Sequence, residues 1–313
     1  MGHGASLARQ IAALNETHGL GDELAFRAGP SGLVIADVNN TQAAASLCLQ
    51  GAHLTAWQPH ECADPVIWLS EAAQFAPGKA IRGGIPVCWP WFGPHPGDGA
   101  LPSHGFARTA RWRVEETRRR RDGSSEIALT LEDDPATRAL WPHAFRLELR
   151  VCIGRELRLE LGTTNTGAQE FVMSEALHAY FRVGDIDSVQ VLGLEGTNYV
   201  DSARGGRRSL QQGAVAFEAE LDRVYLHAPQ QCTIADPTLR RRIRIHQSGG
   251  ATTVVWNPWQ EKAARLGDLG SGRQHRGGWR EMLCVESGNA LDNAVAMAPG
   301  TSHRLSARYQ VEA

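Results

Sequence analysis

Residues 145–164 read FRLELRVCIGRELRLELGTT. Phe145, Leu147, Leu149, Val151 and Ile153 alternate with Arg146, Glu148, Arg150 and Cys152. Gly154 and Arg155 supply a turn, and the alternation resumes at Leu157, Leu159 and Leu161. Period two on both sides of a tight turn predicts a hairpin with one buried face. Further strands are expected over 32–38, 46–57, 111–116, 126–131, 174–183, 189–192, 214–220, 242–246, 252–256, 282–287 and 301–310. Gly, Pro, Asn and Asp turns separate them, the pattern of a sandwich or barrel. Helices are few. One is expected over 8–15, and another has Asn257 as N-cap and Pro258 as its first residue and runs to Leu266. The fold class is therefore all-β. Residues 25–313 are expected to form a single domain behind a short N-terminal segment, 1–24.

The chain has 313 residues, 42% of them hydrophobic and 21% charged. That composition suits one large core and argues against long disorder, collagen or a coiled coil. A net charge of −2 gives no electrostatic reason to expect nucleic acid as a partner. No stretch reaches the length of a membrane span, and the first 20 residues lack a basic segment followed by an apolar one, so neither a membrane nor a signal peptide is expected. None of the six cysteines sits in a CxxC pair. They read as reduced, mostly buried thiols, with the cytoplasm as the default compartment. Lysine occurs only at positions 79 and 262, so nearly all of the 32 basic residues are arginine. The runs Arg118–Arg121 and Arg240–Arg242 read as solvated turns or edge strands, the first flanked by Glu115, Glu116, Asp122 and Glu126.

Four segments could carry chemistry. In AIRGGIPVCWPWFG, residues 80–93, Arg82 precedes Gly83 and Gly84, and Trp89, Trp91 and Phe92 follow closely. An arginine on a stiff turn suits an anionic ligand, because guanidinium binds phosphate through two parallel hydrogen bonds. Alternatively the loop simply plugs one end of the sandwich. In PSHGFAR, residues 102–108, His104 and Arg108 flank Gly105. In SEALHAYFRV, residues 174–183, an unbroken strand would put His178, Tyr180 and Arg182 on one face. In MLCVESGN, residues 282–289, Glu286 closes a buried strand. A histidine and a carboxylate can serve as general acid and base near neutral pH, and either can equally be structural. Asp222 is a weaker candidate that could be a plain turn aspartate. No HxH, HExxH or paired CxxC motif points to a metal, and no GxSxG, Walker or GxGxxG motif is present.

Taken in order, IRGGIPVCWPWFG, HGFAR, SEALHAYF, LDRVY, VVWNPW and MLCVESGN resemble the aldose 1-epimerase superfamily and, within it, the glucose-6-phosphate 1-epimerase (hexose-6-phosphate mutarotase) branch. The first two segments carry the resemblance to the phosphosugar branch. It implies a large antiparallel β-sandwich of the galactose mutarotase type that holds a pyranose. It implies His178 as general acid and Glu286 as general base. His104 and Asp222 would bond sugar hydroxyls, and Arg82 and Arg108, with Gln74, would hold the 6-phosphate. The activity implied is exchange of the α and β anomers of glucose 6-phosphate by a cofactor-independent isomerase with no metal, acting as a monomer. Two alternatives stand beside it: an epimerase of unphosphorylated aldoses, against which Arg82 and Arg108 speak, and a non-catalytic sugar-binding module, which would not need both His178 and Glu286.

Overall fold

The computed structural model describes residues 2–312. The 145–164 hairpin forms as its alternation requires. Strand Phe145–Ile153 pairs antiparallel with Glu156–Asn165, Leu149 facing Leu161 across the ladder. Leu147, Leu149, Val151, Leu157, Leu159 and Leu161 are all fully buried, and the arginines and glutamates between them look outward. This hairpin lies inside an eight-stranded antiparallel sheet that runs from Gln190–Leu192 at one edge to Arg113–Arg119 at the other. A second eight-stranded sheet packs against it. Its order runs through Asn198–Asp201, Leu221–Leu226, Thr252–Asn257, Met282–Asn289 and Glu175–Leu177, with Tyr180–Arg182 also on the Met282–Asn289 strand. Phe181 of this sheet meets Tyr309 of the other edge to face, ring centres 5.2 Å apart. Leu177, Val255, Leu283 and Val285 fill the layer between the sheets. A four-stranded sheet from residues 24 to 59 completes the sandwich.

Several expectations needed correction. The single strand expected over 46–57 is two, Ala43–Cys48 and His53–Pro59, turning at Gly51 and Ala52, both of positive φ. Residues 214–220 form no strand; Val215 makes only an isolated bridge to Val191. Asp222 lies within a strand, not a turn. The N-terminal helix runs from Gly2 to His18, longer than 8–15. It docks through Leu7, Ile11 and Leu14, and the Asn15 side chain bonds both the amide and the carbonyl of Phe26. The later helix starts at Trp259 rather than Pro258, and Asn257 Oδ1 accepts from the Trp259 amide.

The arginine runs are paired internally. Arg118, Arg120 and Arg150 all reach the nearly buried Glu126. Arg241 donates to the carbonyls of Asp64, Pro65 and Arg182. All six cysteines are free thiols, and all but Cys62 are buried. No described helix is long and apolar enough to cross a membrane.

Leu149 sits at the centre of this core. Leu149→Ala is expected to cost about 2–5 kcal/mol of unfolding free energy, read from the urea midpoint at unchanged m-value. A loss below about 1 kcal/mol would contradict the tight packing described here.

Candidate active site

Side chains alternate along the Met282–Asn289 strand. Leu283 and Val285 enter the core, so Cys284 and Glu286 turn to the opposite face. Ladder registers extend that face sideways. Asp222 pairs with Trp256, Trp256 with Cys284, and Cys284 with Tyr180, which places four side chains in one row across the sheet. Phe92 packs on Val224 and Val254, so the 80–93 loop lies over the same face.

The strand expected over 174–183 is broken at His178 and Ala179. There the Ala179 amide bonds the Leu177 carbonyl in a tight turn, and the His178 amide leaves the ladder to bond Pro86 O at 3.0 Å. The register is the same on both sides of the break, Leu177 opposite Ser287 and Tyr180 opposite Cys284, so His178 falls opposite Glu286. His178 Nε2 stands 3.3 Å from Glu286 Oε1, with the two side chains 9% and 2% exposed. The His178 ring stacks on Tyr180, planes 9° apart and centres 4.8 Å apart.

Burial, reinforced by Asp222, pushes the Glu286 carboxyl well above its usual range. Burial and then the field of His104, Arg108 and Arg82 hold His178 well below an ordinary histidine. Each shift disfavours the charged form of its group, so burial biases the free pair toward a carboxylic acid beside a neutral imidazole.

His104 lies edge-on to His178, ring centres 5.6 Å apart. Its backbone adopts φ 62°, and its amide donates to Gly93 O at 2.7 Å. The Gly93 amide donates back to His104 Nδ1 at 3.3 Å, so the ring proton must sit on Nε2. Burial, then Arg108 and Arg82, lower His104 to about 3. It is a fixed neutral donor, suited to a sugar hydroxyl. The adjacent Gly105 is obligatory, since a Cβ there would stand 1.9 Å from Trp89 O.

Arg82 is held on both sides. Its Nε donates to Asp268 Oδ2 at 2.9 Å and its Nη1 to the Tyr180 hydroxyl at 2.9 Å. Arg108 donates to the Ser103 carbonyl at 2.6 Å and makes no ion pair among the described residues. Burial raises the Asp222 carboxyl, against the pull of Lys262. Lys262 Nζ lies 2.6 Å from Glu220 and 3.7 Å from Asp222.

The structure thus brings His178, Glu286, His104, Arg82, Arg108 and Asp222 into one neighbourhood. Gln74 is exposed on the loop before Arg82 and makes no side-chain hydrogen bond among the described residues. Gly83 and Gly84 serve packing rather than ligand approach: a Cβ at Gly83 would meet the Leu69 backbone at 2.7 Å, and one at Gly84 would meet Leu54 O at 2.4 Å. Trp89 and Trp91 are core residues, so that part of the loop does plug the sandwich. Tyr180, Trp256, Lys262 and Asp268 belong to the site without having been assigned roles in it. Tyr180 carried a sequence signal in its parity with His178, and Lys262 another, as one of only two lysines in an arginine-rich chain.

A family described as "Aldose 1-epimerase" matches residues 34–310. A "Putative glucose-6-phosphate 1-epimerase" of Salmonella typhimurium is 38% identical over 252 residues, which is 80% of this chain and 81% of that protein. One from Cenchrus ciliaris is 36% identical over 269 residues, 83% of this chain and 79% of its own. The crystal structure of a "putative mutarotase" from Salmonella typhimurium superposes with a TM-score of 0.85 at 34% identity, covering 97% of this chain and 99% of that one.

His104 is expected to stay uncharged through the physiological range. Its ring resonances should not move between pH 8 and pH 5 in an NMR titration. A His104 midpoint near 6.5 would mean that the ring is solvated.

Proposed function

Since the chain belongs to the aldose 1-epimerase family, we propose that it interconverts the α and β anomers of D-glucose 6-phosphate and related hexose 6-phosphates. His178 and Glu286 are the acid–base pair. The observation that carries this reading is their 3.3 Å contact. A hemiacetal carbon bears both the ring oxygen and the anomeric hydroxyl, so the acid and base that serve it must stand side by side.

Glu286 takes the proton of the anomeric hydroxyl while His178 delivers one to the ring oxygen. The C1–O5 bond breaks as the C1=O bond forms, C1 turns about C1–C2, and the ring recloses on its other face with the two proton transfers reversed. No electron is transferred. His104 Nε2–H and the Asp222 carboxylate orient hydroxyls of the sugar. Arg82 and Arg108 hold the phosphate, with Arg108 the free positive charge and Arg82 already braced by Asp268 and Tyr180. The same two arginines suppress the charge on His178. Burial and His104 act before the arginines, and a bound phosphate dianion offsets the arginines' share of that field, which favours the charged imidazole and couples phosphate recognition to the acid. Six free thiols suit the cytoplasm.

The test is anomer exchange followed by NMR saturation transfer. Glu286→Gln and His178→Asn should each slow exchange about 10²–10⁴-fold. Arg108→Ala should raise KM for glucose 6-phosphate far more than for glucose. Full activity in Glu286→Gln would falsify the mechanism, and a preference for free glucose would transfer the substrate to the unphosphorylated aldoses.

The pH profile carries the sign of the shifts. Loss of the pair's proton on the alkaline side leaves a base without an acid, and a second proton on the acid side leaves an acid without a base. With His178 lowered and Glu286 raised by burial, neither limb is expected at the ordinary value of its group. We expect kcat/KM to be level across pH 6.5. An alkaline limb at the ordinary histidine value of 6.5 would show that burial does not set these groups.

A further inference from the structure

Cys284 has no part in the proton transfers described above, yet it shares the face of Glu286 two residues away. The thiol is fully buried beneath the row that holds Tyr180 and Trp256. Donor atoms of His178, Cys284 and Glu286 all lie within 4.8 Å of one another. Two further polar atoms there, Glu286 Oε2 and His178 Nδ1, are buried without a hydrogen-bond partner.

We propose that His178, Cys284 and Glu286 form a latent three-donor site for a zinc-class divalent cation, whose occupation excludes the sugar. Imidazole, thiolate and carboxylate are the donors such ions prefer, and three protein donors with one open position is the usual arrangement of an accessible zinc site. Metal–nitrogen and metal–oxygen bonds of about 2.0–2.2 Å give a tetrahedral edge of about 3.3–3.5 Å. The Nε2–Oε1 separation is already 3.3 Å. Only the sulfur needs to close in, which a rotation about its one side-chain torsion supplies. The cation displaces the thiol proton and the pair's shared proton to solvent, and no electron changes hands. Magnesium and calcium, which take six or more oxygens, find no such set here. The fourth position falls where the proposed function places the anomeric oxygens, so the inhibitory half of the inference rests on that reading. Metal capture by the three side chains does not.

The two halves are tested separately on chelator-stripped full-length protein. Without sugar, cadmium is titrated and the ultraviolet thiolate-to-cadmium band is followed. Wild type should develop the band to saturation, and Cys284→Ser should lose it, with Cys284→Ala as a second variant should the serine fail to fold. An equal band in the folded variant would overturn the site, because another thiol would then be the ligand. With glucose 6-phosphate, zinc should block exchange in wild type and act roughly tenfold or more weakly in the Cys284 variant. Added substrate should raise the zinc midpoint, and magnesium at the same concentration should do nothing. Equal zinc sensitivity of wild type and variant, or inhibition that substrate does not relieve, would overturn the inhibitory role. A protein that shows the cadmium band but no anomer exchange would sink the proposed function and leave the metal site standing.

Discussion

Backbone hydrogen bonding holds the Met282–Asn289 strand against a partner that breaks and then resumes. Glu175–Leu177 pairs with one part of it and Tyr180–Arg182 with another, and the intervening His178 and Ala179 step out of line. The register is the same on both sides, so His178 falls opposite Glu286 on the site face while Leu177 and Phe181 on either side stay anchored in the core. The Val285 amide still finds Ala179 O at 3.3 Å, and the His178 amide finds Pro86. The kink therefore leaves neither of these buried backbone groups unpaired. The site inherits its rigidity from this arrangement.

Burial then decides the chemistry. Two ionised groups in this environment would each lose hydration, and one proton shared between them removes most of that penalty. Burial favours a carboxylic acid beside a neutral imidazole, and His104, Arg108 and Arg82 add a field against charge on His178. Because Asp268 already neutralises Arg82, the unpaired Arg108 is the more exposed to modulation by a bound anion.

The sequence spoke clearly where a period and a face coincide. The 145–164 hairpin, the parity of His178 with Tyr180, and Glu286 at the end of an apolar run all follow from period two. The break at 178–179 was not legible, since no glycine or proline marks it; it is stabilised by Pro86 and Gly84 of a distant loop. Asp222 looked like a turn residue because LDRVY carries adjacent charges, and only the pairing with Trp256 explains why it lies in a strand. The 80–93 loop mixes both of its readings: Trp89 and Trp91 pack in the core, while Arg82 and Phe92 face the site. Asp268 was invisible because its meaning lies in meeting Arg82 across 186 residues.

Lys262 draws its significance from the aldehyde that ring opening exposes. Open-chain sugars condense with free amines, and a lysine at the rim would invite a Schiff base and self-inflicted glycation. Here Lys262 Nζ is engaged by Glu220 and Asp222, and it would have to leave both carboxylates before it could approach a carbonyl. The only other lysine, Lys79, is exposed on the loop that precedes Arg82. A catalyst that repeatedly unmasks a reactive carbonyl thus keeps its one nearby amine disarmed.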